Sequence, residues 1–144
     1  MSIIELEGHD TGLGYAAMRE LRPNLSSLEE FETRVHQQHI QSYRLIASLD
    51  SSGNAVAVLG FRVLQSLSRG RFLYVDDLST MPSARRQGHA GALLAWVEAE
   101  AHRCGCTQIR LDSGTQRHDA HRRYLSTGYT ISALHFTKPL PGKH

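Results

Sequence analysis

Two aspartates, Asp76 and Asp77, stand side by side after the apolar run Leu73-Tyr74-Val75, inside what reads as a strand, where acids are disfavoured. A few residues on, Arg85 and Arg86 precede Gly88, and from Ala90 the apolar residues recur at helical spacing. The stretch 73–94 therefore reads as strand, short basic turn and helix start. A strand that feeds a helix N-terminus gathers backbone N–H groups with no intrahelical acceptor, and an anion can sit against them. Gly88 and Ala90 are small enough to leave that backbone open. The helix dipole favours negative charge there, and the two guanidinium groups can add charge-assisted hydrogen bonds. The first expectation is a phosphate-bearing ligand next to buried carboxylates. Neighbouring residues on a strand point to opposite faces, so Asp76 and Asp77 are not expected to share a proton, and at most one should face a reacting centre.

The elements that must position these residues follow from periodicity. Residues 2–7 alternate as a first strand, and residues 15–21 form a helix that ends before Pro23. Ser26 with Glu29, or Ser27 with Glu30, makes a capping box for a second helix that runs to about residue 39. Strands are expected over 43–49 and 55–67, with turn chemistry at 50–54 and 68–70. With the stretch ending at Thr80 they make an antiparallel meander. Ala90, Leu93, Leu94, Val97, Ala101 and Cys104 form one helical face, Glu98, Glu100 and Arg103 lie on other sides, and Gly105 ends the helix. A strand over 108–112 should then run parallel to the one ending at Thr80, because strand, helix, strand is a right-handed crossover. A short helix over 117–125 and one or two strands over 129–137 close the chain, and 138–144 reads as a loose tail. Tyr15, Trp96 and Phe136 read as core.

At 144 residues, 40% hydrophobic and 21% charged, the chain reads as one α/β domain with a mixed sheet. No apolar run reaches the roughly 20 residues needed to cross a bilayer, and the N-terminus lacks a basic and apolar leader, so a cytoplasmic location without membrane association is expected. A formal charge of +2 is too small to suggest nucleic-acid binding, although Arg85, Arg86, Arg117, Arg122 and Arg123 cluster near the expected anion site. Cys104 and Cys106 have the wrong spacing for a redox pair and read as small apolar residues. His118 and His121 lack a third partner in sequence, so no metal is expected. Together with His39 and Asp112 they are second-rank candidates for substrate contact.

Two further patterns carry a family resemblance. Arg85-x-x-Gly88-x-Ala90 is similar to the pyrophosphate motif (Gln/Arg)-x-x-Gly-x-(Gly/Ala) of the GNAT superfamily of acetyl-CoA-dependent N-acetyltransferases. Ala120-x-x-x-Tyr124-x-x-x-Gly128-Tyr129 resembles that family's second signature, Ala-x-x-x-Tyr-x-x-x-Gly-(Phe/Tyr). The separation of the two signatures and the element order fit as well, over nearly the whole chain. The resemblance implies a GNAT-like fold: a mixed central sheet with an antiparallel N-terminal meander, splayed parallel strands and about four flanking helices. It implies acetyl-CoA as co-substrate and a small-molecule or peptide amine as acceptor, and it leaves room for a homodimer. One departure stands out. Where many members carry Asn seven positions before the motif tyrosine, this chain has Arg117.

Residue by residue, the resemblance implies that Arg85, Arg86, Gln87, Gly88, His89 and Ala90 hold the pyrophosphate and that Arg117 contacts the cofactor arm. Leu78, Ser79 and Thr80 would pair through main-chain atoms with the pantetheine arm, and a backbone N–H near Leu78 would polarise the thioester carbonyl. Tyr124 would be the general acid: a phenol near pKa 10 can protonate a leaving thiolate near 8.5 at modest cost. Asp76, in preference to Asp77, would meet the amine. An ordinary aspartate is a poor base for a lysine-like ammonium, since the gap of about 6.5 pKa units is about 9 kcal/mol. Asp76 would then attract the ammonium and pass its proton to water, or have its own pKa raised by burial. No cysteine is placed to carry an acyl group, so the amine is expected to attack directly in a ternary complex. The competing expectation is a non-catalytic acyl-CoA-binding sensor or interaction module of the same fold.

Overall fold

The computed structural model describes residues 1–142. Expectations for the last two residues of the tail, Lys143 and His144, lie outside the described residues. Two compact units are present, Met1–Leu111 and the part from Asp112 onward.

The first unit is built on a five-stranded sheet of β1 (Ser2–Leu6), β2 (Arg44–Leu49), β3 (Ala55–Ser66), β4 (Gly70–Thr80) and β5 (Gln108–Leu111), in that spatial order. The first four strands pair antiparallel and β5 runs parallel to β4, as the crossover through the intervening helix requires. Helices α1 (Tyr15–Leu21), α2 (Leu28–Gln38) and α3 (His89–Arg103) flank it. α2 starts on the expected capping box: Ser27 Oγ accepts from the Glu30 N–H at 3.0 Å, and Glu30 Oε1 accepts from the Ser26 N–H at 2.9 Å. The turn between β2 and β3 is pinned by Asp50, whose Oδ1 accepts from the N–H groups of Ser52 and Asn54.

The apolar core on the α1 and α2 side is built from Leu6, Met18, Phe31, Val35, Leu45 and Val58. On the other side Phe61 lies 6.0 Å from the ring of Trp96 in α3. The sequence reading put Glu100 of α3 off the buried face, but it is buried. Arg44 and Arg103 reach its carboxylate at 2.6 Å and 2.5 Å, so a charge occupies this position only because two cations are brought to it. Those partners, Arg103 first, hold its pKa down to about 2.

In the second unit α4 (His118–Ser126) ends where Gly128 takes a left-handed conformation (φ 99°), and the N–H groups of Thr127 and Tyr129 both turn back to the Tyr124 carbonyl. The motif glycine is thus a helix stop. Residues 129–137 form no strand, contrary to the sequence reading. A strand needs a ladder partner and a consistent face. The apolar residues Ile131, Leu134 and Phe136 break the period of two, and all three are exposed. Phe136 is therefore not a core residue.

Candidate functional site

The site starts from an irregularity in the sheet. In the β3–β4 pairing Gly60 stands opposite Asp77 and Phe61 opposite Val75, so Asp76 is an extra residue without a cross-strand partner. This is a β-bulge, and it resets the alternation of side chains. Val75 shares the α3 side with Phe61, whereas Ser79 shares the α1 side, since its Oγ donates to the Ala17 carbonyl at 2.7 Å. Counting alternately from those two anchors puts both Asp76 and Asp77 on the α1 and α2 side. The expectation that they point to opposite faces fails because one inserted residue breaks the period.

Both carboxylates line a cavity of about 270 Å³ between β4 and the two helices, together with Arg22, Arg34, Gln38 and Tyr43. Each acid is already held. Arg62 forks onto Asp76 with two hydrogen bonds of 2.8 Å. Asp77 accepts from the Tyr43 hydroxyl at 2.7 Å and from Arg22 Nε at 3.0 Å, and Arg22 also donates to the Asp76 carbonyl at 3.1 Å. Burial pushes the Asp76 carboxyl above its usual range despite the Arg62 partner, with a smaller contribution from Asp77. Burial, and then the Asp77 charge, raises the Tyr43 phenol well above 10, so it stays a donor at neutral pH.

Further along β4 the sheet opens. β5 pairs only with residues Phe72, Leu73, Tyr74 and Val75, so the edge of β4 at Leu78, Ser79 and Thr80 has β3 on one side and, among the described residues, no strand on the other. A strand edge without a ladder partner is the kind of surface an extended ligand can pair with. The Ser79 side chain is buried and tied to α1, which leaves the main chain as the contact surface.

Next comes the turn into α3. Arg86 (φ 64°) and Gly88 (φ 89°) are both left-handed, which costs little at glycine and is strained at arginine. The first intrahelical bond runs from the Ala92 N–H to the Gly88 carbonyl, and no side chain caps the helix. The N–H groups of His89, Ala90 and Gly91 therefore point out of a fifteen-residue helix beside the exposed Arg85 and Arg86. An anion fits this end. Of the expected contacts, Gln87 is exposed and donates to the Ser83 carbonyl at 3.3 Å. His89 faces the other way: it is buried, with Nδ1 2.7 Å from Ser48 Oγ. What His89 offers at this end is its backbone N–H, while its ring anchors the helix start to β2.

Residues 12–129 match the family described as "Acetyltransferase (GNAT) family". The chain belongs to the GNAT acetyltransferase family. It is 33% identical over 130 residues to an uncharacterized N-acetyltransferase, YhdJ, of Bacillus subtilis, covering 88% of this chain and 89% of the relative. It is 30% identical over 135 residues to an aminoalkylphosphonate N-acetyltransferase of Salmonella typhimurium, covering 91% and 86%. Among solved structures a Trypanosoma brucei acetyltransferase superimposes with a TM-score of 0.80 at 17% identity, covering 96% of this chain and 99% of that one, which shows the shared fold.

The remaining GNAT motif residues lie in the second unit. Tyr124, half-buried, stands 5.6 Å from the ring of Tyr129. Burial raises its pKa, opposed by the nearby Arg117 and Arg123, so it holds its proton at neutral pH. Arg117 is exposed at the start of α4. His121 Nε2 lies 2.8 Å from the Gly114 carbonyl, and Asp112 pairs with His135 at 2.9 Å. His39 Nδ1 lies 2.8 Å from the Tyr43 carbonyl. No cluster of three metal-ligating side chains is present among the described residues, and none of their helices is long and apolar enough to cross a membrane.

Sequence reasoning missed Arg22, Arg34, Tyr43 and Arg62. None lies in a motif. The one available signal was Gly60 within an apolar strand, which marks a bulge or a close approach.

Proposed function

We propose that this protein transfers the acetyl group of acetyl-CoA to the primary amine of a small molecule by direct attack in a ternary complex. The observation that carries the reading is the paired placement of Asp76 and Asp77 in one cavity on the strand whose continuation, Leu78, Ser79 and Thr80, offers an open edge. About 270 Å³ is below the usual range for drug-sized ligands, which supports a small acceptor over a folded peptide. The relative that acts on aminoalkylphosphonates supports the same choice.

In this reading the pyrophosphate lies on the backbone N–H groups of His89, Ala90 and Gly91, with Arg85 and Arg86 alongside, and Arg117 contacts the cofactor arm. Asp76 meets the amine. Arg62 takes two of its lone-pair directions and leaves others free, and burial makes it a better proton holder than an ordinary aspartate. Asp77, fixed by Tyr43 and Arg22, positions the strand and the cavity wall. The ammonium loses its proton through Asp76 to water. The neutral nitrogen bonds to the thioester carbon and gives up its extra proton to water, the carbon–sulfur bond then breaks, and Tyr124 gives its proton to the departing thiolate and regains one from solvent.

The bidentate hold of Arg62 on Asp76 favours a second reading, a non-catalytic acyl-CoA-binding module. An assay of free thiol release from acetyl-CoA across a panel of small amines separates the two. Turnover is expected on at least one amine that fits the cavity. Cofactor binding without turnover on any amine would move the function to the sensor reading.

A further inference from the structure

Charges around the cavity do not suit a plain cation. Asp76 is neutralised by Arg62, and Asp77 by Arg22. That leaves Arg34, which lines the cavity and enters no ion pair or hydrogen bond among the described residues. Its neighbour one turn back on α2, Glu30, is committed to capping the helix through the Ser26 N–H. Phe31 and Val35, also lining the cavity, are buried, so the helix presents Arg34 and Gln38 beside an apolar floor. The cavity therefore carries acids that are already paired at one side and one unbalanced guanidinium at the rim.

We infer that the acceptor is a small amino-anion, an amine joined through a short chain to a carboxylate or phosphonate, and that Arg34 reads the anionic end. This rests on the acetyl-transfer reading for the amine's fate, but not for its binding. With each acid already paired, Arg34 leaves the lining one positive charge in excess, which an anionic group on the acceptor offsets while its amine meets Asp76. A guanidinium suits carboxylate and phosphonate because its planar fork can donate two parallel hydrogen bonds. Asp76 and Asp77 belong to β4 and Arg34 to α2, so the amine and the anion would be read from different walls of the cavity.

The test is binding of 3-aminopropylphosphonate, β-alanine, propylamine and 1,3-diaminopropane by titration calorimetry with coenzyme A present, run beside the thiol-release assay. A charge-assisted pair predicts that the wild-type protein binds the two amino-anions about 10- to 100-fold tighter than propylamine. Arg34→Ala should erase that preference chiefly by weakening the amino-anions, Arg34→Lys should restore part of it, and Arg34→Glu should turn it toward the diamine. Arg34 is exposed, so these variants are expected to fold. Equal affinity of the wild type for propylamine and the amino-anions, or a preference that survives Arg34→Ala, overturns the inference. If the preference and its dependence on Arg34 hold while no amine is acetylated, the anion reading stands and acetyl transfer falls. If propylamine is acetylated as well as the amino-anions, acetyl transfer stands and the anion reading falls.

Discussion

Tyr43 reaches across Gly60 to donate its phenolic proton to Asp77, 2.7 Å away. Any Cβ at residue 60 would lie 1.8 Å from the Tyr43 oxygen, so the hydrogen bond exists only because that strand position is bare. The same Gly60 faces the bulge that turns Asp76 and Asp77 to one side. One glycine thus allows both the bond that fixes one acid and the sheet geometry that pairs the two.

Gly60→Ala should therefore cost about 1–3 kcal/mol of stability by overpacking, and it should displace the Tyr43 ring. Tyr43→Phe removes a bond to a charged acceptor and should cost about 1.5–3 kcal/mol. Tyr43 also has a sign in pH. Its folded pKa is raised, so its contribution is whole below about pH 10 and is lost as pH rises through the folded value. Urea midpoints between neutral pH and strong alkali should fall more steeply for the wild type than for Tyr43→Phe. Parallel curves would show that the phenol does not stabilise the fold.

Much of the fold was legible because its signals are local. The capping box at Ser26, Ser27 and Glu30, the turn at Asp50 and the helical face from Ala90 to Ala101 each depend on neighbours in sequence. The anion end was legible for the same reason, since turn, glycine and helix start are contiguous. What failed depends on pairing. The orientation of Asp76 and Asp77 is decided by a register shift against β3, and the burial of Glu100 by Arg44, a residue of β2 distant in sequence, whereas 129–137 forms no strand although its residue types suggest one. His89 carries a motif position on its backbone and a core contact on its ring, and residue type alone does not separate those roles.

Glu100 gives an acid-stability prediction. Its folded pKa of about 2 lies below the usual carboxylate value, so its contribution is present above about pH 4.5 and is lost as pH falls toward 2. A gap of that size corresponds to about 3 kcal/mol for this buried carboxylate. Glu100→Gln should be less stable than the wild type at pH 7 by about that amount, and the difference should shrink on acidification. A difference that stays constant from pH 7 to pH 3 would assign the loss to packing and not to the charge.

At the anion end, Gly88→Ala puts a side chain on a left-handed residue and should cost about 1–2 kcal/mol. Because that residue opens the uncapped end of α3, the same change should weaken acetyl-CoA binding. Arg85→Ala should weaken binding with little effect on stability, since its side chain is exposed. Calorimetric titration with acetyl-CoA, set beside urea melts, separates the two effects. Unchanged affinity in both variants would move the cofactor away from this helix end.

Asp76 is expected to set the acidic limb of the rate profile. Its carboxyl is raised by burial, so it protonates above the ordinary aspartate range as pH falls, and it then neither pairs fully with Arg62 nor receives a proton from the amine. The limb in kcat/KM should therefore lie above about pH 4, and Asp76→Asn should lower kcat by about 10²- to 10⁴-fold. Asp77→Asn should act more on stability and KM, since that side chain is engaged by Tyr43 and Arg22. If Asp77→Asn removes the limb and Asp76→Asn leaves it, the two acids exchange roles.

Tyr124→Phe tests the proton donor. The phenol holds its proton at neutral pH because burial outweighs the nearby Arg117 and Arg123. The step it serves needs that proton only when the carbon–sulfur bond breaks, so its loss should lower kcat and leave acetyl-CoA affinity nearly unchanged. The expected fall is about 10²-fold or more, and it should be smaller for thioesters whose thiolate leaves more easily, because a weaker base needs less protonation. That dependence on the leaving group is the deciding readout. A structural tyrosine would lower the rate for every thioester alike, and an equal loss across a series of thiol pKa values would remove Tyr124 from the chemistry.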